Sequence, residues 1–204
     1  MAEDFPFLGE RLCLDFVNTD LVRDGRRVDL LGAFEDLLAW CVAAEFLGAT
    51  QARQMHARWK APATERVLQD ARRFRKTLRA MVERIASGQT TVTQPALDAV
   101  NDVLRARIGD LAVVRTKSGY ETLFLARWAG PEQLLVPVAE SAAALLSQGD
   151  LSLVRKCENP DCVLYFYDTT KNHRRRWCSM TACGNRAKVA AHYRRTHRGA
   201  AGSA

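Results

Sequence analysis

Four of the six cysteines in this 204-residue chain fall as two pairs, Cys157/Cys162 and Cys178/Cys183, with four residues inside each pair and fifteen between them. Two short-spaced thiol pairs joined by a loop of that length match the pattern of a structural zinc site. A thiolate binds zinc at about 2.3 Å, and four protein ligands close the tetrahedron, leaving no position for chemistry. The start, MAEDFPFLGERL, is acidic and lacks the basic and apolar regions of a secretory signal. No apolar run approaches the roughly 18 to 20 residues of a membrane span. A cytoplasmic protein with reduced thiols is therefore expected, and reduced paired thiols point to metal rather than disulfides. A rival ligand set is Cys178, Cys183, His192 and His197. Its eight-residue gap between Cys183 and His192 is short against the usual length of about 12, and it leaves Cys157 and Cys162 unexplained. Iron suits the same four sulfurs, but one structural zinc ion is the reading that a closed module favours.

Charge divides the chain at the same place. Residues 1–150 carry 19 Lys/Arg and 20 Asp/Glu, a net of −1, whereas residues 151–204 carry 11 and 3, a net of +8. Such asymmetry predicts an anionic partner for the C-terminal quarter, with nucleic acid the first candidate.

With 48% hydrophobic residues the chain can fill a core, and residues 1–150 read as a mostly helical domain. Leu8, Leu12, Phe16 and Val17 share one helical face, while Asp15 and Asn18 interrupt that apolar run. The pair is either a tied-down helix end or a ligand pocket. RDGRR at 23–27 reads as a turn, with Asp29 the N-cap of a helix running to Gly48. Further helices open at Thr50 and Thr93. The clearest helix carries Val67, Ala71, Phe74, Leu78 and Ile85 inward, and Arg72, Arg73, Arg75, Lys76 and Arg79 on a face expected to be solvated. Residues 111–128 give a β-hairpin signal around Lys117-Ser118-Gly119. A last helix from Pro131 ends at Gln148-Gly149-Asp150, the expected domain boundary. Cys13 and Cys41 read as buried small hydrophobes.

Between the cysteine pairs, residues 164–167 read as an aromatic strand and residues 174–177 as its partner. Cys183 stands at the start of a helix bearing Val189 and Tyr193. Knuckle, hairpin and helix, with the last ligand at the helix start, make a treble-clef-like module over 151–198, followed by a disordered tail over 199–204. The fold class is thus α+β, mostly α with a β-hairpin. CGNR at 183–186, preceded by RRRWCSM, resembles the CGNR zinc-finger family, and LCLDFVNT at 12–19 resembles the opening of the ABATE domain. The resemblance implies a stress-induced bacterial transcription regulator with Cys157, Cys162, Cys178 and Cys183 as metal ligands.

From charge and resemblance together, duplex DNA is the expected partner. Arg174, Arg175, Arg176, Asn185, Arg186, Lys188, Arg194 and Arg195 are the candidate contacts. Alternation along a strand sends Arg175 opposite to Arg174 and Arg176, so one of the three is free to pack on the module or to meet Asp168. The N-terminal domain is expected to sense a small-molecule effector, with Asp15 and Asn18 as its candidate ligands, or to form a homodimer. The alternative is an RNA- or protein-binding module, with Tyr165, Phe166, Tyr167 and Trp177 available for stacking. No membrane role is implied. An enzyme is not expected, since Asp15, Asn18 and His56 are too thin a set for a reaction and no catalytic motif is present. Loss of one metal ligand is expected to unfold residues 151–198 and leave the helical domain standing.

Overall fold

In a computed structural model of the protein, residues 5–198 are described. The first 150 residues give α1 (Leu12–Val17), a hairpin of β1 (Asp20–Arg23) and β2 (Arg26–Asp29), α2 (Phe34–Ala43), α3 (Ala49–Arg58), α4 (Ala63–Ala86) and α5 (Gln94–Leu104). A second hairpin follows, β3 (Gly109–Thr116) with β4 (Gly119–Ala126), then a 3-10 turn at Pro131–Leu135 and α6 (Val136–Gln148). The C-terminal module holds β5 (Val154–Lys156), β6 (Tyr165–Tyr167), a π turn at Met180–Gly184 and α7 (Asn185–Arg198). The α+β class read from the sequence is the class observed. The tail at 199–204 lies outside the described residues.

Helix starts are fixed by neighbouring side chains closing back on the backbone. The Asp36 carboxylate accepts the Ala33 amide at 2.6 Å, and the Gln51 side chain accepts the Gly48 amide at 3.1 Å. Such bonds satisfy donors that the first turn of a helix leaves open. α4 buries Val67, Ala71, Phe74, Leu78, Met81, Val82 and Ile85 along one stripe. Against it pack α1, α2, α5 and the module's β5. The core is one continuous cluster that includes Phe16, Trp40, Leu78 and Leu134 together with Tyr165, Phe166 and the four cysteines at 157–183.

Three local expectations change. Asp29 does not cap a helix; it ends β2, and the turn at Asp24-Gly25 is flanked by paired strands (Leu21↔Val28, Val22↔Arg27). Both turn residues have positive φ, 51° and 74°, the pairing that a two-residue hairpin turn requires. Second, the apolar face that begins at Leu8 is helical only from Leu12; Gly9 sits in a bend so close to α1 that an added Cβ would lie 2.7 Å from the Leu14 Cβ. Third, the basic face of α4 is not simply solvated.

Arg75 is 5% exposed and places one guanidinium nitrogen 2.7 Å from the Asp29 Oδ1 and 2.9 Å from the Thr19 Oγ1, and the other 2.6 Å from the Asp29 Oδ2. Burial pushes the Asp29 carboxyl up, but the bonds from Arg75 and the Leu31 amide hold it below its ordinary value. Arg72 donates to the Leu31 carbonyl at 2.7 Å and the Gly32 carbonyl at 2.9 Å. Arg79 reaches the carbonyls of Val17 (2.7 Å), Asp20 and Val163 (3.1 Å). These arginines flank the apolar stripe, and their long stems carry the charge to the Asp29 carboxylate, the Thr19 hydroxyl and carbonyls at 17, 20, 31, 32 and 163.

Replacing Arg79 by Leu leaves three part-buried carbonyls without this donor. Hydrogen bonds from a charged group contribute about 1.5–3 kcal/mol each, so the variant should lose several kcal/mol in chemical denaturation. The amides around Val17 and Tyr165 should exchange faster in the same variant. Unchanged stability would show that water replaces the guanidinium.

Candidate metal centre

β5 delivers Cys157, whose amide donates to the Leu164 carbonyl at 2.9 Å and folds the chain back into β6. Inside that knuckle the Cys162 amide donates to the Asn159 carbonyl (2.9 Å) and the Asp161 amide to the Asn159 side-chain oxygen (3.2 Å), an Asx turn of the kind this Asn-Pro-Asp sequence favours. β6 pairs with β5 (Lys156↔Tyr165, Val154↔Tyr167). The strand expected at 174–177 does not form. In its place Asp168, fully buried, shapes the loop: one carboxylate oxygen accepts the amide (3.0 Å) and hydroxyl (2.6 Å) of Thr170, and the other accepts the Arg175 amide (2.9 Å).

The second pair sits at a helix start. Cys178 precedes the π turn, and Cys183 lies within it just before α7. Each letter of CGNR has a physical place here. Gly184 is packed so closely that a Cβ would lie 2.8 Å from the Met180 sulfur and 3.1 Å from the Trp177 Cδ1. Asn185 donates its side-chain amide to the Thr181 carbonyl at 3.2 Å, closing the turn. Arg186 directs a guanidinium N–H to the Cys183 sulfur at 3.6 Å.

All four sulfurs are buried and lie within 4.8 Å of one another. Cys162 and Cys178 Sγ are 3.8 Å apart, and Cys178 and Cys183 Sγ are 3.6 Å apart. A tetrahedron with metal–sulfur bonds of about 2.3 Å has edges of about 3.8 Å, so the donor set fits one zinc ion. The competing set with His192 and His197 is not needed, since Cys157 and Cys162 complete the cluster; the side chains of those histidines lie outside the described residues. N–H groups support the sulfurs: the Cys178 amide points to the Cys157 Sγ (3.4 Å) and the Asn159 side chain to the Cys183 Sγ (3.3 Å). Hydrogen bonds from Cys162 and Cys178 pull the Cys157 thiol far below its ordinary value, while the same bonds push Cys162 and Cys178 up. Without a metal the three therefore share a single thiolate charge at Cys157, whereas a bound dication would hold the sulfurs as thiolates. The remaining thiols are different in kind: burial pushes Cys13 up to about 11 and raises Cys41 further, consistent with their reading as core residues.

Asp15 and Asn18 are both buried and both bonded to backbone. Asp15 accepts the Gly9 amide at 2.7 Å. Asn18 donates to the Tyr165 carbonyl at 2.8 Å and accepts the Tyr165 amide at 2.9 Å, so it serves as an extra strand residue for β6. The Tyr167 amide donates to the Gly9 carbonyl at 2.9 Å in the same seam. His56 lies elsewhere, on the surface, 2.8 Å from Glu35.

The candidate nucleic-acid residues separate by environment. Arg174, Asn185, Arg186 and Lys188 are exposed. Arg176 is exposed but bound to Glu158 at 2.6 Å, and its guanidinium lies over the Trp177 ring. Arg175 faces inward over the Phe166 ring and bonds to Glu10 (3.0 Å) and to the carbonyls of Leu8 (3.1 Å) and Cys178 (2.7 Å). It is the member of the three that alternation set apart, although Asp168 takes its amide and Glu10 its side chain. The side chains of Arg194 and Arg195 lie outside the described residues. Tyr165, Phe166 and Tyr167 are all buried, which leaves no room for a base to stack on them.

Sequence comparison agrees with this anatomy. The model of the CGNR zinc finger matches residues 154–196. That of the ABATE family, described as "putative stress-induced transcription regulator", matches residues 10–149. No curated protein matches the chain.

Two outcomes test the centre and its seam. Elemental analysis should find one zinc per chain, and Cys183→Ser should abolish it. Because structural zinc contributes on the order of 10–16 kcal/mol to folding, that variant should also lose exchange protection at the Asn18–Tyr165 seam; protection unchanged across the seam would refute a metal-dependent join. Burial raises the Asp15 carboxyl from 3.8 to about 6. A proton is therefore held more tightly in the folded state, and stability should fall as pH rises from about 4 to about 6, by at most roughly 3 kcal/mol. Asp15→Asn should flatten that part of the stability profile and raise the melting temperature at pH 8.

Proposed function

The chain belongs to the ABATE family and carries a CGNR zinc finger at its C-terminal end, and on that premise we propose that it regulates transcription by binding duplex DNA through the zinc module. The observation that carries this reading is α7. The helix grows directly out of the metal cluster, and the π turn is its principal packing partner. Its described side chains are largely open: Asn185, Arg186 and Lys188 are exposed, and Val189 and Tyr193 are 69% and 62% exposed. An α-helix of this kind is what the major groove, about 12 Å wide, admits.

Arg174 stands on the loop that leads into the cluster, and neither it nor Lys188 has an ion pair among the described residues. Both are suited to phosphate oxygens. Arg186, tethered to the Cys183 sulfur, and Asn185 are the candidates for base edges. The metal's part is to hold loop and helix in fixed relation, since a closed tetrahedral site offers no coordination to a ligand. Catalysis has no place in this reading. Burial of residues 165–167 weighs against the single-stranded RNA alternative, which would need exposed rings.

Fluorescence anisotropy with a mixed-sequence duplex tests the proposal. Zinc-loaded protein should bind at about 50 mM salt and weaken steeply towards about 200 mM. Lys188→Ala and Arg174→Ala should each lower the salt slope by about 1 and leave zinc content unchanged. Absence of binding at the lower salt would overturn it.

A further inference from the structure

The first hairpin ends beside the helix that grows from the metal. Its turn residue Asp24 borders a broad cleft of about 940 Å³ whose other wall is α7, with Asn185, Arg186, Val189 and Tyr193. One wall thus belongs to the N-terminal domain and the other to the zinc module. Asn185 and Arg186 are also the candidates for base edges, so the hairpin tip lies next to any duplex that this face of α7 holds. Arg79 keeps the two walls in relation, because it donates both to the Asp20 carbonyl of β1 and to the Val163 carbonyl of the module.

The tip is basic within a domain whose net charge is −1: it reads RDGRR, three arginines against one acid. Arg27 is answered inside the hairpin, by bonds to Asp20 at 2.8 and 2.6 Å. Arg26 is exposed and has no ion pair among the described residues. The register sets Arg23 directly opposite Arg26, as the pair that closes the turn. Like charges facing each other across a ladder weaken it, whereas a phosphate close to both relieves that repulsion. Alternation puts these two arginines on the face of Leu21 and Val28, which packs on the core. Past Leu21 that face leaves the core and carries positive charge instead, at the end of the hairpin that α7 adjoins.

We infer that the β1–β2 turn is a second DNA contact, with Arg26 on a phosphate of the strand that borders the groove occupied by α7. The inference rests on the DNA reading of α7 and extends the gripping surface into the N-terminal domain. A helix in the major groove, about 12 Å wide, has a sugar-phosphate strand on either side, and elements beside a recognition helix commonly bind that backbone. The charges on the two elements suit such a strand: Arg23 and Arg26 on the hairpin, Arg186 and Lys188 on the helix, against the single acid Asp24. Asp24 has a φ of 51°, where aspartate and asparagine are both favoured, so the turn accounts for its presence.

Fluorescence anisotropy with the zinc-loaded full chain and a mixed-sequence duplex tests the contact. Arg26→Ala should lower the salt slope by about 1. It should also weaken binding roughly tenfold at about 50 mM salt, since one phosphate contact scales as salt to about the 0.9 power. Arg26→Lys should keep the slope, and Asp24→Asn, which suits the turn equally, should tighten binding at that salt. Zinc content and far-ultraviolet dichroism should be unchanged in all three. Suppose the wild-type chain binds and Lys188→Ala lowers its slope, while Arg26→Ala leaves the slope and Asp24→Asn leaves the affinity unchanged. The tip then lies off the DNA, and this inference alone falls. A wild-type chain that fails to bind at about 50 mM salt overturns the DNA reading and the inference with it.

Discussion

Satisfying the backbone of β6 is the constraint on which the rest of the molecule depends. A three-residue strand paired on one side only has open amides and carbonyls, and it lies buried at the centre of the module. Asn18 answers one edge with both ends of its side-chain amide, Gly9 accepts the Tyr167 amide, and Arg79 reaches the neighbouring Val163 carbonyl. An unpaired buried group costs about 1–3 kcal/mol, so these four bonds decide how the two parts of the chain sit. The metal holds one end of the knuckle and α1 holds the other.

Much of the site was legible because metal geometry writes itself into spacing. Two thiol pairs, each with four residues inside it, leave few arrangements, and the cluster that forms is the one the pairs imply. The Asp24-Gly25 turn was equally readable, but its strands are four residues each and carry arginines, so their pairing gave no period to detect. Residues 174–177 misled for the opposite reason. Their composition suits a strand, yet Asp168 binds the loop's own amides and outcompetes a ladder. The arginines of α4 show where sequence reading stops. A guanidinium at the border of an apolar stripe belongs to solvent or to the interior according to which carbonyls lie opposite, and that is a tertiary fact.

Charge follows the same division. Arginines turned into the molecule (Arg75, Arg79 and Arg175) act as multidentate donors to carbonyls and carboxylates, a task that suits a planar fork better than an ammonium. Among the described residues, Arg176 on the module's outside shares only the single acid Glu158, and Arg174 has no ion pair. One residue type thus performs two jobs, and burial separates them. Net charge alone would have counted Arg175 with the outer set.

The shared core has a consequence for inheritance. Many zinc modules behave as interchangeable beads, cut and spliced because each closes its own surface. Here a recombination point near Gly149 would leave β6 without Asn18 on one side and Arg79 without the Val163 carbonyl on the other. Each half carries complementary polar vacancies that only the other fills. A change at the asparagine of LCLDFVNT therefore reaches the CGNR module directly, because its side-chain amide is bonded to the Tyr165 backbone at both ends.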